Sequence, residues 1–229
     1  LFHRYRDGQA DIPAFLDDYA FLSWGLLDLY EATFEAAYLA KAQALARQMV
    51  ELFWDQEGGG FFLSGSRNEP LIAKRKELYD GALPSGNSVA ALVLVRVSRL
   101  TQNRALEPLV ERMMQTFSSE AGQLPSAFPQ FMVAVDWWLG PSQEVVIAGE
   151  PTAPDTRELL EAIRRRFLPR AALLLHAPGG QGQDIERLVP FVKAQQPLNG
   201  RATAYVCEHG ACQLPTTDPA QLATLLDRR

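Results

Sequence analysis

Residues 85–100 read SGNSVAALVLVRVSRL, an apolar run broken only by Arg96 and Arg99. A helix that is apolar on every face belongs inside a protein, whereas a surface helix keeps one polar stripe. Two neighbours share the pattern. FLDDYAFLSWGLLDLYEAT (15–33) is apolar on nearly every face, and PSAFPQFMVAVDWWL (125–139) carries Phe128, Phe131, Trp137 and Trp138. Between them lie amphipathic stretches. EAAYLAKAQALARQMVELFWD (35–55) gathers Lys41, Gln43, Arg47, Gln48 and Glu51 against a stripe through Leu45, Met49, Leu52 and Phe53, and ALEPLVERMMQTFSSE (105–120) behaves alike. GGGFFLSG (58–65) supplies a tight turn leading into a short extended piece.

Residues 1–140 therefore read as helices, buried ones alternating with half-exposed ones. A two-layer ring of helical hairpins produces this alternation, with the inner helices sandwiched and the outer ones facing water. An ordinary bundle would show a stripe on every helix. Asp136, inside the third apolar run, is expected as a buried, hydrogen-bonded structural group.

Past Leu139 the composition changes. EVVIAG (144–149) and AALLLHA (171–177) read as buried strands, PDTRELLEAIRRRFLP (154–169) as a helix with a Pro-Asp start, and PGGQGQ (178–183) as a loop. ATAYVC (202–207) and ACQLPT (211–216) flank EHG as a hairpin, and DPAQLATLL closes with a capped helix. Residues 141–229 thus form a small α/β unit.

The chain has 229 residues, 47% of them hydrophobic, with 22 Lys plus Arg against 27 Asp plus Glu. The resulting charge of −5 argues against a nucleic-acid partner, since KRK (74–76) and RRR (164–166) are the longest basic runs and read as solvated surface. No apolar run is long enough to cross a membrane. The first residues, LFHRYRDGQ, have the look of the inside of a longer protein. Two cysteines make no disulfide framework, so a reducing cytoplasm is the default compartment. Cys207, His209 and Cys212 supply three zinc-type ligands without a fourth, and a cross-strand cysteine pair, thiol or disulfide, is the reading adopted. No metal or cofactor is expected. PGGQGQ lacks the Lys-Ser/Thr of a phosphate loop.

Each apolar helix begins with polar residues: Asp17, Asp18 and Tyr19 at the first, Asp80 and Ser85, Asn87 and Ser88 at the second, Pro125 and Ser126 at the third. Helix N-termini present unpaired N–H groups and the positive end of a dipole. Ser85 and one of the two aspartates suit N-caps, each worth about 1 kcal/mol. Capping explains one polar residue per helix and leaves the rest to face a cavity. The expected ligand is a carbohydrate-like small molecule, with Asp18 and Asp80 as catalytic acid and base and Asp17, Tyr19, Ser85, Asn87 and Ser88 as binding residues.

LDDYAFLSWGLLDLYEAT, GGGFF, DGALPSGNSVAA and RATAYVCEHGACQLPTTD, in this order, resemble the C-terminal part of the spermatogenesis-associated protein 20-like family. The resemblance implies an α/α toroid of the six-hairpin glycosidase type, related to sugar epimerases and glycosidases, with the inner-helix ends lining its cavity. It also implies an N-terminal thioredoxin-like domain outside this chain, and no established reaction. The fold expected is mainly α, a partial (α/α) toroid followed by a small α/β unit. The alternative function is a non-enzymatic scaffold for that redox domain.

Overall fold

In a computed structural model, residues 1–208 and 211–227 are described. The chain is mainly α, with eight α-helices among the described residues. It divides into two compact units. The first comprises Leu1–Leu29, Ala37–Ser98 and Asn103–Leu139; the second takes Tyr30–Ala36, Arg99–Gln102 and the chain from Gly140 onward.

The first unit opens with an antiparallel ribbon of β1 (Phe2–Arg6) and β2 (Gln9–Pro13), where helix alone was expected. Every ribbon residue is exposed, so no inward-facing apolar alternation marked it in the sequence. The helices follow as read: α1 (Leu16–Thr33), α2 (Ala36–Phe53), α3 (Gly86–Thr101), α4 (Glu107–Gln123) and α5 (Pro129–Leu139). The last is shorter than expected, because Pro125–Ala127 forms a separate 3-10 turn ahead of Pro129.

Burial refines the alternation. Helix α3 is buried along nearly its whole circumference, and its Arg96, only 6% exposed, pairs with Asp28 of α1 at 2.7 Å. Helices α1 and α5 are buried on one side and exposed on the other, at Leu22 and Leu29 and at Val133 and Leu139. Asp136 is exposed rather than buried, since it shares that outer face of α5. The core of the unit is bound by ring contacts of Tyr19 with Phe53, Trp54 with Phe61 and Phe117 with Phe131.

The second unit is a four-stranded sheet in the order β4-β3-β5-β6. Strand β3 (Gln143–Ala148) pairs parallel with β4 (Ala171–His176) through the crossover helix α6 (Pro154–Arg164), and antiparallel with β5 (Thr203–Glu208). Strand β6 is only Ala211–Cys212, with a single further bridge at Thr216 to Ala204, so ACQLPT is a strand for two residues. PGGQGQ is not simply a loop: α7 runs Gly180–Leu188. Gly182 lets that helix lie against the carbonyl of Ala177, a place that any Cβ would fill. Helix α8 (Pro219–Leu226) has Asp218 as its N-cap, accepting from the N–H of Ala220 at 2.9 Å. Phe34, at φ 59°, ends α1 in the left-handed region; its N–H donates to the carbonyl of Tyr30, and its ring packs on Tyr30 and on the core of this unit.

Candidate functional site

The N-terminus of α3 is built from Ser85. Its Oγ accepts from the N–H of Ser88 at 3.1 Å, the N-cap geometry, and its hydroxyl donates to Ser88 Oγ at 3.0 Å. The Ser88 hydroxyl in turn donates to the carbonyl of Leu78. Asn87, 1% exposed, uses its whole amide: Oδ1 accepts from the N–H of Phe61 at 2.8 Å, while Nδ2 donates to the carbonyls of Phe61 (3.0 Å) and Glu77 (2.9 Å). One side chain thus acts as a strand partner for the GGGFF segment and tethers the segment before Tyr79.

Asp80 has a similar office. Its Oδ1 accepts from the N–H of Ser85 at 2.9 Å, and its Oδ2 from the N–H groups of Gln130 (2.8 Å) and Phe131 (3.2 Å) in the first turn of α5. Asp18, the third residue of α1, reaches back to the N–H of Phe15 at 2.9 Å, the return arm of a capping box. Its same oxygen lies 2.8 Å from His3 Nδ1. Tyr19 is 2% exposed, packed on Phe53, and burial pushes its phenol above the usual range.

Beside these caps lies an open cavity of about 220 Å³, with Leu16, Asp17, Glu77, Tyr79, Ser85 and Asn87 in its wall. Of the seven residues expected at a cavity, Asp17, Ser85 and Asn87 line this one. Asp18, Tyr19, Asp80 and Ser88 do not. Asp18 and Asp80, expected as the acid–base pair, each accept from backbone N–H groups, and neither is among the residues lining this cavity. Two lining residues, Glu77 and Tyr79, were missed: KRKELY reads as a charged loop, and nothing local shows that Asn87 folds it back against α3.

The electrostatics of the cavity centre on Asp17. Partial removal from water pushes its carboxyl above the usual range, and the nearby Asp18 and Glu77 push it further, against an opposing pull from His3. Asp17 also crowds the start of α3, where Gly86 leaves room for its carboxylate and for Leu16; a Cβ at 86 would collide with both. The Tyr79 ring is 58% exposed and stands edge-on to buried Phe128, at 6.5 Å between centroids. A carboxyl inclined to hold its proton, a second carboxylate and an aromatic face are the groups that bind hydroxyls and sugar C–H faces.

Among the described residues no group of three or more His, Cys, Asp or Glu is arranged to hold a metal ion. Cys207 and Cys212 are joined in a disulfide, and His209 lies outside the described residues. No described helix is long and apolar enough to cross a membrane.

No protein-family model matches the chain. It is 38% identical over 213 residues to spermatogenesis-associated protein 20 of Homo sapiens, and 37% identical over 213 residues to the protein of that name in Rattus norvegicus. It is also 28% identical over 221 residues to an uncharacterized protein of Caenorhabditis elegans. The match covers 93% of this chain but 27% of the human and rat relatives, so the chain spans about a quarter of their length.

Proposed function

We propose that this chain, which belongs to the spermatogenesis-associated protein 20-like family, contributes three inner helices to an α/α toroid of the six-hairpin glycosidase type. The cavity at the start of α1 and α3 then binds a hydroxyl-rich, carbohydrate-like small molecule in a cytoplasmic protein. The observation that carries this reading is the shared wall of Asp17, Glu77 and the exposed Tyr79 ring, with the Asp17 carboxyl shifted upward by partial loss of water. The Asp17 and Glu77 carboxyl groups hydrogen-bond ligand hydroxyls, and the Tyr79 ring takes an apolar sugar face. Where a reaction follows, the same pair divides into acid and base.

The test is binding of a monosaccharide and oligosaccharide library to the intact protein, compared with Asp17→Asn and Glu77→Gln. Both variants should weaken binding at least ten-fold while melting within a few degrees of the parent. Binding that is unchanged in both would sink the assignment.

One observation favours a second reading. Asp18, Asp80, Asn87 and Ser88 are all engaged by the chain's own backbone, as a scaffold requires. In that case the toroid supports the thioredoxin-like domain that the family resemblance implies, and no sugar binds at any concentration tried.

A further inference from the structure

The hairpin of β5 and β6 sets Cys207 directly opposite Cys212, and the two sulfurs are bonded. The two cysteines are unequal. Cys212 is exposed, while Cys207 is 2% exposed against the sheet. On the buried side Gln195, itself 7% exposed, directs its Nε2 at Cys207 Sγ from 4.0 Å. Gln195 is held from behind: its carbonyl accepts from His176 Nδ1 at 2.7 Å, and His176 Nε2 lies 3.0 Å from Glu186 Oε1. His176 is 4% exposed, so this support is buried too. The other end of the Gln195 amide, Oε1, is buried without a hydrogen-bond partner. A buried amide that leaves one end unsatisfied while presenting its donor to a sulfur is a costly arrangement for packing alone.

We propose that the Cys207–Cys212 pair is a thiol–disulfide exchange site for a dithiol, attacked at Cys212 and releasing Cys207. A thiolate of the incoming dithiol bonds to Cys212 Sγ, the Cys207–Cys212 bond breaks, and its electron pair leaves on Cys207 Sγ as a thiolate. Gln195 Nε2–H donates to the charge that develops there, and a hydrogen bond to a charged group is stronger than one to a neutral sulfur. The dithiol's second thiolate then attacks its own sulfur in the mixed disulfide and expels the Cys212 thiolate. The two cysteines take up the two protons that the dithiol lost. The dithiol is oxidised by two electrons and the cysteine pair reduced, and the reverse reaction runs through the same mixed disulfide.

The site is independent of the sugar cavity. Its test is alkylation of the native intact protein after graded dithiothreitol, with the Cys207 and Cys212 peptides read by mass spectrometry. The pair should open while the protein remains folded by circular dichroism. In Cys207→Ser, Cys212 should form an adduct with glutathione disulfide, whereas in Cys212→Ser the remaining Cys207 should stay unmodified. Gln195→Leu, which keeps bulk and removes the donor, should slow reduction roughly three- to ten-fold with an unchanged melting temperature. The proposal is overturned if reduction requires unfolding, if Cys207 is the sulfur captured, or if Gln195→Leu reduces at the parental rate.

Discussion

Asp80 caps a distant helix, α5: its Oδ2 accepts from the N–H of Gln130, fifty residues later, at 2.8 Å. The same oxygen takes the N–H of Phe131, and Oδ1 takes that of Ser85, so one carboxylate serves the entrances of α5 and α3 together. Asp80→Ala leaves all three N–H groups without this acceptor, two of them in buried surroundings. The expected loss is about 2–4 kcal/mol in urea unfolding, more than an ordinary N-cap deletion. A loss below that of Ser85→Ala would show that the carboxylate does not hold α5.

Asn87 offers a sharper test, because an isosteric change reverses one end of its amide. In Asn87→Asp a carboxylate oxygen replaces Nδ2 and faces the carbonyls of Phe61 and Glu77, both within hydrogen-bond distance of the original donor. Asn87→Asp should therefore destabilise more than Asn87→Ala, and both by about 2 kcal/mol or more. Hydrogen exchange at the Phe61 amide should accelerate most directly in Asn87→Ala, which removes its acceptor Asn87 Oδ1, whereas Asn87→Asp keeps that oxygen.

Gly60→Ala meets two obstacles. The backbone there has φ +72°, and a Cβ would stand 2.7 Å from Cζ of Phe117, whose ring packs on Phe131. Left-handed strain and overpacking each cost about 1–3 kcal/mol, so the melting temperature should fall by several degrees or more. The double variant Gly60→Ala, Phe117→Leu should recover part of the loss, because it removes the collision and leaves the strain.

Two carboxyls should respond to pH in opposite directions. Lys76, whose Nζ lies 2.6 Å from Asp55, holds the Asp55 carboxyl below the usual range. Its contribution is present above the ordinary carboxylate value and is lost as pH falls through the lowered folded value. Asp55→Asn should destabilise at neutral pH, by no more than about 1 kcal/mol once solvent screening is counted, and that loss should disappear in strong acid. The Asp17 carboxyl is raised, by partial loss of water and then by Asp18 and Glu77. Its contribution is complete below the ordinary value and is lost as pH rises through the raised one. Asp17→Asn should therefore gain on the parent at neutral pH and lose that gain in acid. Unfolding curves of the two variants across pH 2–8 check both signs.

The helices were legible because burial writes itself into composition. SVAALVLVRVSRL carries no polar face to present to water, and α3 is the most enclosed of the helices in the first unit. Ser85 was legible as a cap because its partner, Ser88, lies three residues on. Asp80 was not, since its partners Gln130 and Phe131 lie beyond two further helices, and no local pattern announces a distant cap. The cavity followed the same rule. Asp17 could be picked out beside Asp18, but Glu77 becomes a wall residue only through the tether from Asn87. α1 and α5 read as fully buried because sequence reports the apolarity of a face and not what covers it.

Residues 69–75 are all exposed, Ile72 completely so, yet the chain on both sides is tied down. Asn68 grips the N–H of Gly65 and the carbonyl of Pro13 on one side; Lys76 grips Asp55 and the carbonyl of Gly59 on the other. A peptide bond cut between them would free no anchored strand or helix, and the two halves would stay joined through these groups and through Asn87. This stretch is therefore the natural place to graft a reporter loop, with the cavity left standing beside it.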